Sequence, residues 1–233
     1  MRRVALGVLL ALAGCAENQV LVPPTGRASL ERQLVGAERY LKLSFFEMPF
    51  FGDETRRLIS PVQSEEVRLL DSPDGTPINP GPASTIFPVG TKARIKGIEF
   101  PTPLAMTGRV LITPRYQPWV FLDLAGTAKD ARPFVLVLRM GLKTEAEVLA
   151  EIDRYLSVDD PQARMTQWQQ AVVDAVKSKQ AVVDMPSDAL EMAWGYPERK
   201  EISFEGDRRK EVWRWPGGKR VAIILDGRVS ELP

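Results

Sequence analysis

The pattern of apolar and polar positions divides the chain into stretches of different period. Val4 to Ala13 is an apolar run broken only by Gly7, with Arg2 and Arg3 ahead of it and the small residues Ala13 and Gly14 at its end. A basic head, an apolar stretch of about 7–15 residues and a small-residue exit predict a secretory signal peptide over residues 1–14. A membrane span needs roughly 20 apolar residues, so this run is too short for one. Residues 15–28 mix polar residues with Pro23-Pro24 and Gly26 and predict an extended tether that lets the folded part stand off a surface.

The next segment, 29–57, opens with Leu30, Leu34, Ala37 and Leu41, whose steps of four, three and four predict one helical face with Ser29 as N-cap. It ends in an aromatic linker, "SFFEMPFFGD", with Phe45, Phe46, Phe50 and Phe51 broken by Pro49. Either this displays an aromatic patch or, as Phe more often does, it fills a core. From 58 to 125 the pattern turns to short strands around Gly and Pro punctuation: "EEVRLLD", the turn "SPDGT", then "TKARIKGIEF", "GRVLITPR" and "PWVFLDL". The imperfect alternation in "TKARIKGIEF" predicts a bend or bulge near Gly97.

Residues 130–180 predict a strand and two helices. "RPFVLVLRM" is the strand, and Thr144 with Glu147 forms a capping box ahead of Val148, Ile152, Tyr155 and Leu156. Asp159-Asp160-Pro161 stops that helix, and Met165, Trp168, Val172 and Val176 stripe the second. Within 181–233, a short helix runs from an N-cap at Asp184, through Pro186 in its first turn, to Gly195. Tyr196-Pro197 forces an extended exit. Antiparallel strands then turn at Pro216-Gly217-Gly218 and Asp226-Gly227, and "EGDRRKE" reads as a solvated turn. The fold class expected is α+β: a small antiparallel barrel, an α/β segment, and a helix with a three-stranded antiparallel sheet.

Composition narrows the chemistry. The chain has 233 residues, and the 31 Lys and Arg fall to 29 without Arg2 and Arg3, against 30 Asp and Glu. Such a balance does not suggest nucleic acid as a partner. There is no histidine and one cysteine, Cys15. This excludes Ser-His-Asp and Cys-His catalysis, His-ligated metal sites and an internal disulfide. No cofactor and no metal are expected.

Leu12-Ala13-Gly14-Cys15 resembles the lipobox of bacterial lipoproteins. The resemblance implies diacylglycerol on the Cys15 sulfur, cleavage before Cys15 and acylation of the new amino group. Two or more acyl chains hold a protein stably on a membrane. Ala16, where Asp would imply retention at the inner membrane, is similar to the outer-membrane pattern. "FPVGTKARI" weakly resembles the turn and strand of bacterial SH3-like domains, which implies a cell-wall-binding module over 58–125. Met185, Ala189, Gly195, Pro197, Trp213, Trp215, Val221, Asp226, Gly227 and Val229 are similar to the pattern of the SmpA/OmlA (BamE-type) outer-membrane lipoprotein domain, with Asp184 where that pattern carries Gly. That resemblance implies a scaffold that binds other envelope proteins.

The expectation is therefore a non-catalytic envelope lipoprotein, held to the outer membrane's inner leaflet through Cys15 and meeting a protein partner in the periplasm. Candidate contact residues are Tyr116, Trp119, Phe121, Tyr196, Trp213 and Trp215. Trp213 and Trp215, two apart on one strand face, make a contact if displayed, but at least one is expected to be buried and to pin the helix to the sheet. The alternatives are peptidoglycan binding through Tyr116, Trp119 and Phe121, and a carboxylate enzyme built on Asp159 and Asp160, whose acids would need to lie roughly 5–9.5 Å apart across a cleft.

Overall fold

The computed structural model describes residues 21–128 and 132–232. The expected signal peptide, the lipobox-like residues Leu12, Ala13 and Gly14, the expected lipidation site Cys15, and Ala16 lie outside the described residues.

The first element shows where local period and final structure part. Helix α1 covers Pro24–Leu34, with Pro23 at its N-cap and Ser29 in its middle. It therefore starts inside the segment expected to be tether, and Val22 before it is buried. The helix stops because Val35 is extended and Gly36 takes a φ of +85°, a value a β-carbon disfavours. Glu38–Leu41, expected as its last turn, is strand β1. The aromatic linker is strand β2 (Phe45–Phe50): Phe45 and Phe50 are fully buried, so the stretch fills core.

Strands β3 (Asp53–Ser60), β4 (Thr85–Phe87), β5 (Lys92–Glu99), β6 (Trp119–Leu124), β7 (Phe134–Val137) and β8 (Leu156–Ser157) complete an eight-stranded sheet of order β4-β2-β3-β7-β6-β5-β1-β8. β1 runs into β2 through residues 42–44, and β4 into β5 through residues 88–91. Bonds from Leu41 N to Thr91 O (2.9 Å) and Gly90 N to Leu41 O (2.8 Å) bridge the gap. The two ends of the sheet are thus halves of one bent antiparallel pair, and the sheet closes into a barrel. The expected purely antiparallel barrel within 58–125 is corrected here, because closure draws strands from 38 to 137 and pairs β3 with β7 in parallel. "EEVRLLD" holds a 3-10 turn, Ser64–Glu66, not a strand. The bend near Gly97 is present as a register shift between Ile95 and Gly97.

Helix α2 (Pro103–Gly108) lies between β5 and β6, and helix α3 (Glu145–Tyr155) carries the capping box of Thr144 and Glu147 in full. Together with α1 it covers one end of the barrel: Leu30, Leu34, Val148 and Ile152 share a core with Ile95, Leu122 and Leu136. A second core, with Phe50 and Trp119 edge to face at 4.9 Å, lies on the other side of the β2-β3-β7-β6 wall. The predicted second helix is split into α4 (Gln162–Met165) and α5 (Gln170–Lys177). Its stripe nevertheless faces inward, with Met165, Val172 and Val176 buried.

Helix α6 covers Ser187–Trp194 with Pro186 at its N-cap. Asp184 is not the cap: it takes a φ of +68° two residues earlier. Gly195 closes the helix at φ +84°, and a β-carbon there would sit 3.0 Å from that of Pro61. The sheet that follows has four strands, not three: β9 (Arg199–Glu205), β10 (Arg208–Arg214), β11 (Val221–Leu225) and β12 (Arg228–Glu231). The extra strand pairing arises because "EGDRRKE" turns only at Gly206-Asp207 and is otherwise ladder. Met185, Ala189, Leu190, Trp213, Trp215 and Ile224 form the core between these strands and helices α5 and α6.

Candidate functional site

Three of the six residues expected to meet a partner are interior. Trp119, Trp213 and Trp215 are buried, and each indole N–H is satisfied inside the protein: Trp119 by Pro114 O at 2.9 Å, Trp213 by Glu211 Oε2 at 2.9 Å, and Trp215 by Gly195 O at 3.0 Å. These three are corrected from contact residues to packing residues, since a large aromatic ring gains more from burial than from display. Phe121 is half-buried beneath the Arg56 guanidinium at 5.8 Å. Tyr116 is 44 % exposed and Tyr196 half-buried. The structure does not bring these two together.

Tyr196 stands at the junction of the barrel and the C-terminal unit. Its hydroxyl donates to Arg154 O at 2.9 Å, its ring lies 6.5 Å from that of Tyr155, and the Arg154 guanidinium lies over it at 5.2 Å. Burial raises the phenol pKa of both tyrosines, assisted by the charge of Glu151 at Tyr155 and of Glu191 at Tyr196. The pair lines a cleft of about 210 Å³ together with Leu58, Arg68, Arg154 and Pro216. Apolar walls, two phenols and two guanidiniums suit an acidic or hydrogen-bonding side chain.

From Tyr196 the chain leads straight into β9. Pro197 keeps it extended, Glu198 N bonds Arg214 O at 2.9 Å, and the ladder then runs from Arg199 opposite Arg214 to Glu205 opposite Arg208. β9 is the last strand of its sheet, so one side of its backbone has no ladder partner among the described residues. Its beginning is pinned: Lys200 Nζ lies 3.8 Å above the Trp213 ring and 2.6 Å from Glu191 Oε1. Beyond that point no helix among the described residues covers it. Ile202 and Phe204 share the face of Lys200 by the period of two, and stand 56 % and 70 % exposed. Glu201 on the other face lies 3.1 Å from Arg199 and 3.6 Å from Arg214. An open edge with apolar side chains at alternate positions and charges between them accepts an added strand: the backbone supplies affinity and the alternate side chains select the partner.

The sequence reading passed over Ile202 and Phe204, although the alternation in "KEISFE" carried the signal. It also passed over a second exposed set. "GRVLITPR", expected as a strand, belongs mostly to the loop that follows α2, where Leu111 and Ile112 are exposed, as is Leu104 on α2 itself. Arg109 fixes this loop. Its side chain is buried, 2.7 Å from Glu99 Oε1, 2.6 Å from Arg115 O and 2.8 Å from Gln117 O, with its guanidinium 3.6 Å above Trp119. Asp160, one of the two acids considered for catalysis, accepts from Gln162 N at 2.9 Å and so caps the start of α4. Among the described residues no group of three or more acidic or cysteine side chains is placed to hold a metal ion.

Comparison of the chain with protein-family models, with curated proteins and with solved structures finds no match in any of the three.

Proposed function

We propose that this protein is a lipid-anchored, non-catalytic envelope lipoprotein that works as an interaction scaffold at the periplasmic face of the outer membrane. The SmpA/OmlA-type and SH3-like resemblances belong to this proposal. Support for the anchor comes from the signal peptide and the lipobox at Cys15. Support for the scaffold rests on one observation above the rest: the open edge of β9, with Ile202 and Phe204 standing uncovered on the strand that leads away from Tyr196. The partner is an extended protein segment that pairs with β9 and places a side chain against Tyr196. Peptidoglycan binding retains less support, because Trp119 is buried and Phe121 half-buried.

The test is site-specific photocrosslinking in intact cells with a benzophenone side chain at position 204. A discrete crosslinked protein is expected. With that protein in hand, Phe204→Glu is expected to weaken its binding about tenfold or more, the effect of losing a hot-spot side chain. A crosslinker that finds no protein, or a Phe204→Glu variant that binds unchanged, would remove β9 as the contact.

A further inference from the structure

We propose that the end of the barrel bearing Tyr116 and Met140 rests on the lipid surface beside the anchor, as a second membrane contact. This rests on lipidation of Cys15.

The first argument is length. A tether reaching to residue 28 would let the body drift free of the bilayer, but the fold begins well before that: Val22 is buried and α1 starts at Pro24. Six residue steps separate Cys15 from Leu21. At full stretch they reach about 20 Å. A body of some 210 residues has a radius of gyration of about 17 Å, so a tether that short keeps it against the membrane.

The second argument is which face is held there. The chain leaves the body beside the first turn of α3, where a β-carbon on Gly26 would lie 3.1 Å from Glu145 Cγ. Helix α3 follows β7 by the segment 138–144, and Leu138 N bonds Pro118 O at 2.9 Å. Glu99, Trp119 and Val137 stand in register across β5, β6 and β7 and mark this end of the barrel. Tyr116, two residues before Pro118, and Met140, two residues after Leu138, therefore belong to the same end as the chain's exit.

The third argument is chemistry. Met140 is 58 % and Tyr116 44 % exposed. Lys143 and Arg139 are exposed on either side of Met140, with Arg139 Nε 3.3 Å from Glu151 Oε2. An apolar tip between two basic side chains, with a tyrosine at the same end, suits an anionic lipid surface.

The experiment uses the acylated protein in vesicles of phosphatidylethanolamine and phosphatidylglycerol. Cys15 is the one native cysteine and its sulfur is a thioether after acylation, so a thiol introduced by Met140→Cys, Tyr116→Cys or Phe204→Cys is the only one that takes an environment-sensitive fluorophore. The expected result is blue-shifted emission at 140 and 116, quenched by brominated acyl chains, with water-like emission at 204. Acylated protein that floats with the vesicles while 140 and 116 report water overturns the proposal and leaves the anchor standing. A blue shift that brominated lipid does not quench means a protein contact and also overturns it. If intact mass shows no acyl chains on Cys15 and the protein does not float, the anchor reading fails and this inference with it.

Discussion

Lys179 is the residue on which the most distant parts of the chain converge. It follows α5 in the left-handed conformation, φ +58°, with Lys179 N bonded to Val176 O at 3.2 Å and Gln180 N to Ala175 O at 2.8 Å. This is the helix-ending arrangement that usually takes glycine. The strained backbone turns the side chain inward. There Nζ donates to Ser44 O at 2.6 Å, Pro61 O at 2.9 Å and Ala193 O at 2.6 Å, with the Phe46 ring centred 4.8 Å away. Burial pushes the ammonium well below its usual pKa, Arg220 adds to that, and Glu66 opposes it. The unfolded chain, with its lysine near the usual value, binds the proton more tightly. Stability therefore rises as pH climbs from the folded pKa toward the ordinary lysine value of 10.5. Lys179→Met removes the desolvated charge but leaves three carbonyls without this donor. Ala193 O gains none from its own helix, because residue 197 is proline. At about 1–3 kcal/mol per orphaned acceptor, the carbonyl loss outweighs the relief, and a net cost of about 3 kcal/mol is expected. Urea unfolding checks it: a lower midpoint at unchanged slope, and loss of the rise in stability toward alkaline pH.

At the scale of elements, what could be read in advance is what a few neighbouring residues decide. Thr144 and Glu147 cap α3 as their spacing predicts, with Glu147 N bonded to Thr144 Oγ1 at 3.2 Å. Thr144→Ala is expected to cost about 1 kcal/mol, seen as a lower melting temperature, with a smaller loss for Thr144→Ser. Gly195, the bulge near Gly97 and the Asp226-Gly227 hairpin were legible for the same reason: each is a local backbone requirement. Misread elements are those that distant partners decide. Leu41 continues the period of Leu30 and Leu34, yet it belongs to β1, because β5 and β8 pair with that segment on its two sides. "GRVLITPR" has strand composition, but Arg109 bonds two carbonyls of its own loop and the Glu99 carboxylate at the end of β5, and leaves the segment out of the sheet. The candidate site divides likewise. Tyr196 was visible from its place between Gly195 and Pro197, whereas exposure of Ile202 and Phe204 depends on where α6 stops covering the sheet.

Over the whole molecule, the barrel core and the C-terminal core meet across a polar boundary. Ser44 N bonds Met192 O at 2.8 Å and Ser44 Oγ bonds Val176 O at 2.7 Å, beside the Lys179 contacts. The second link is Glu66 with Arg220, a buried bidentate pair whose Nε–Oε1 distance is 2.6 Å. Glu66 lies on the 3-10 turn after β3. Arg220 lies on the hairpin between β10 and β11, its guanidinium 4.9 Å from the Trp194 ring and 5.6 Å from the Trp215 ring. Because these links bond each unit to the other, the native protein is expected to unfold in one step. Four of the five tryptophans, 168, 194, 213 and 215, pack in the C-terminal core, so fluorescence follows that unit while far-ultraviolet dichroism follows both. Glu66→Gln leaves Arg220 with a neutral partner in a buried place, which costs about 3 kcal/mol. That cost falls on the boundary and on neither core. The fluorescence transition of the variant is therefore expected to part from the dichroism midpoint, where the native protein gives coincident curves. Coincident curves in Glu66→Gln, shifted together, would mean that apolar contact alone couples the two units.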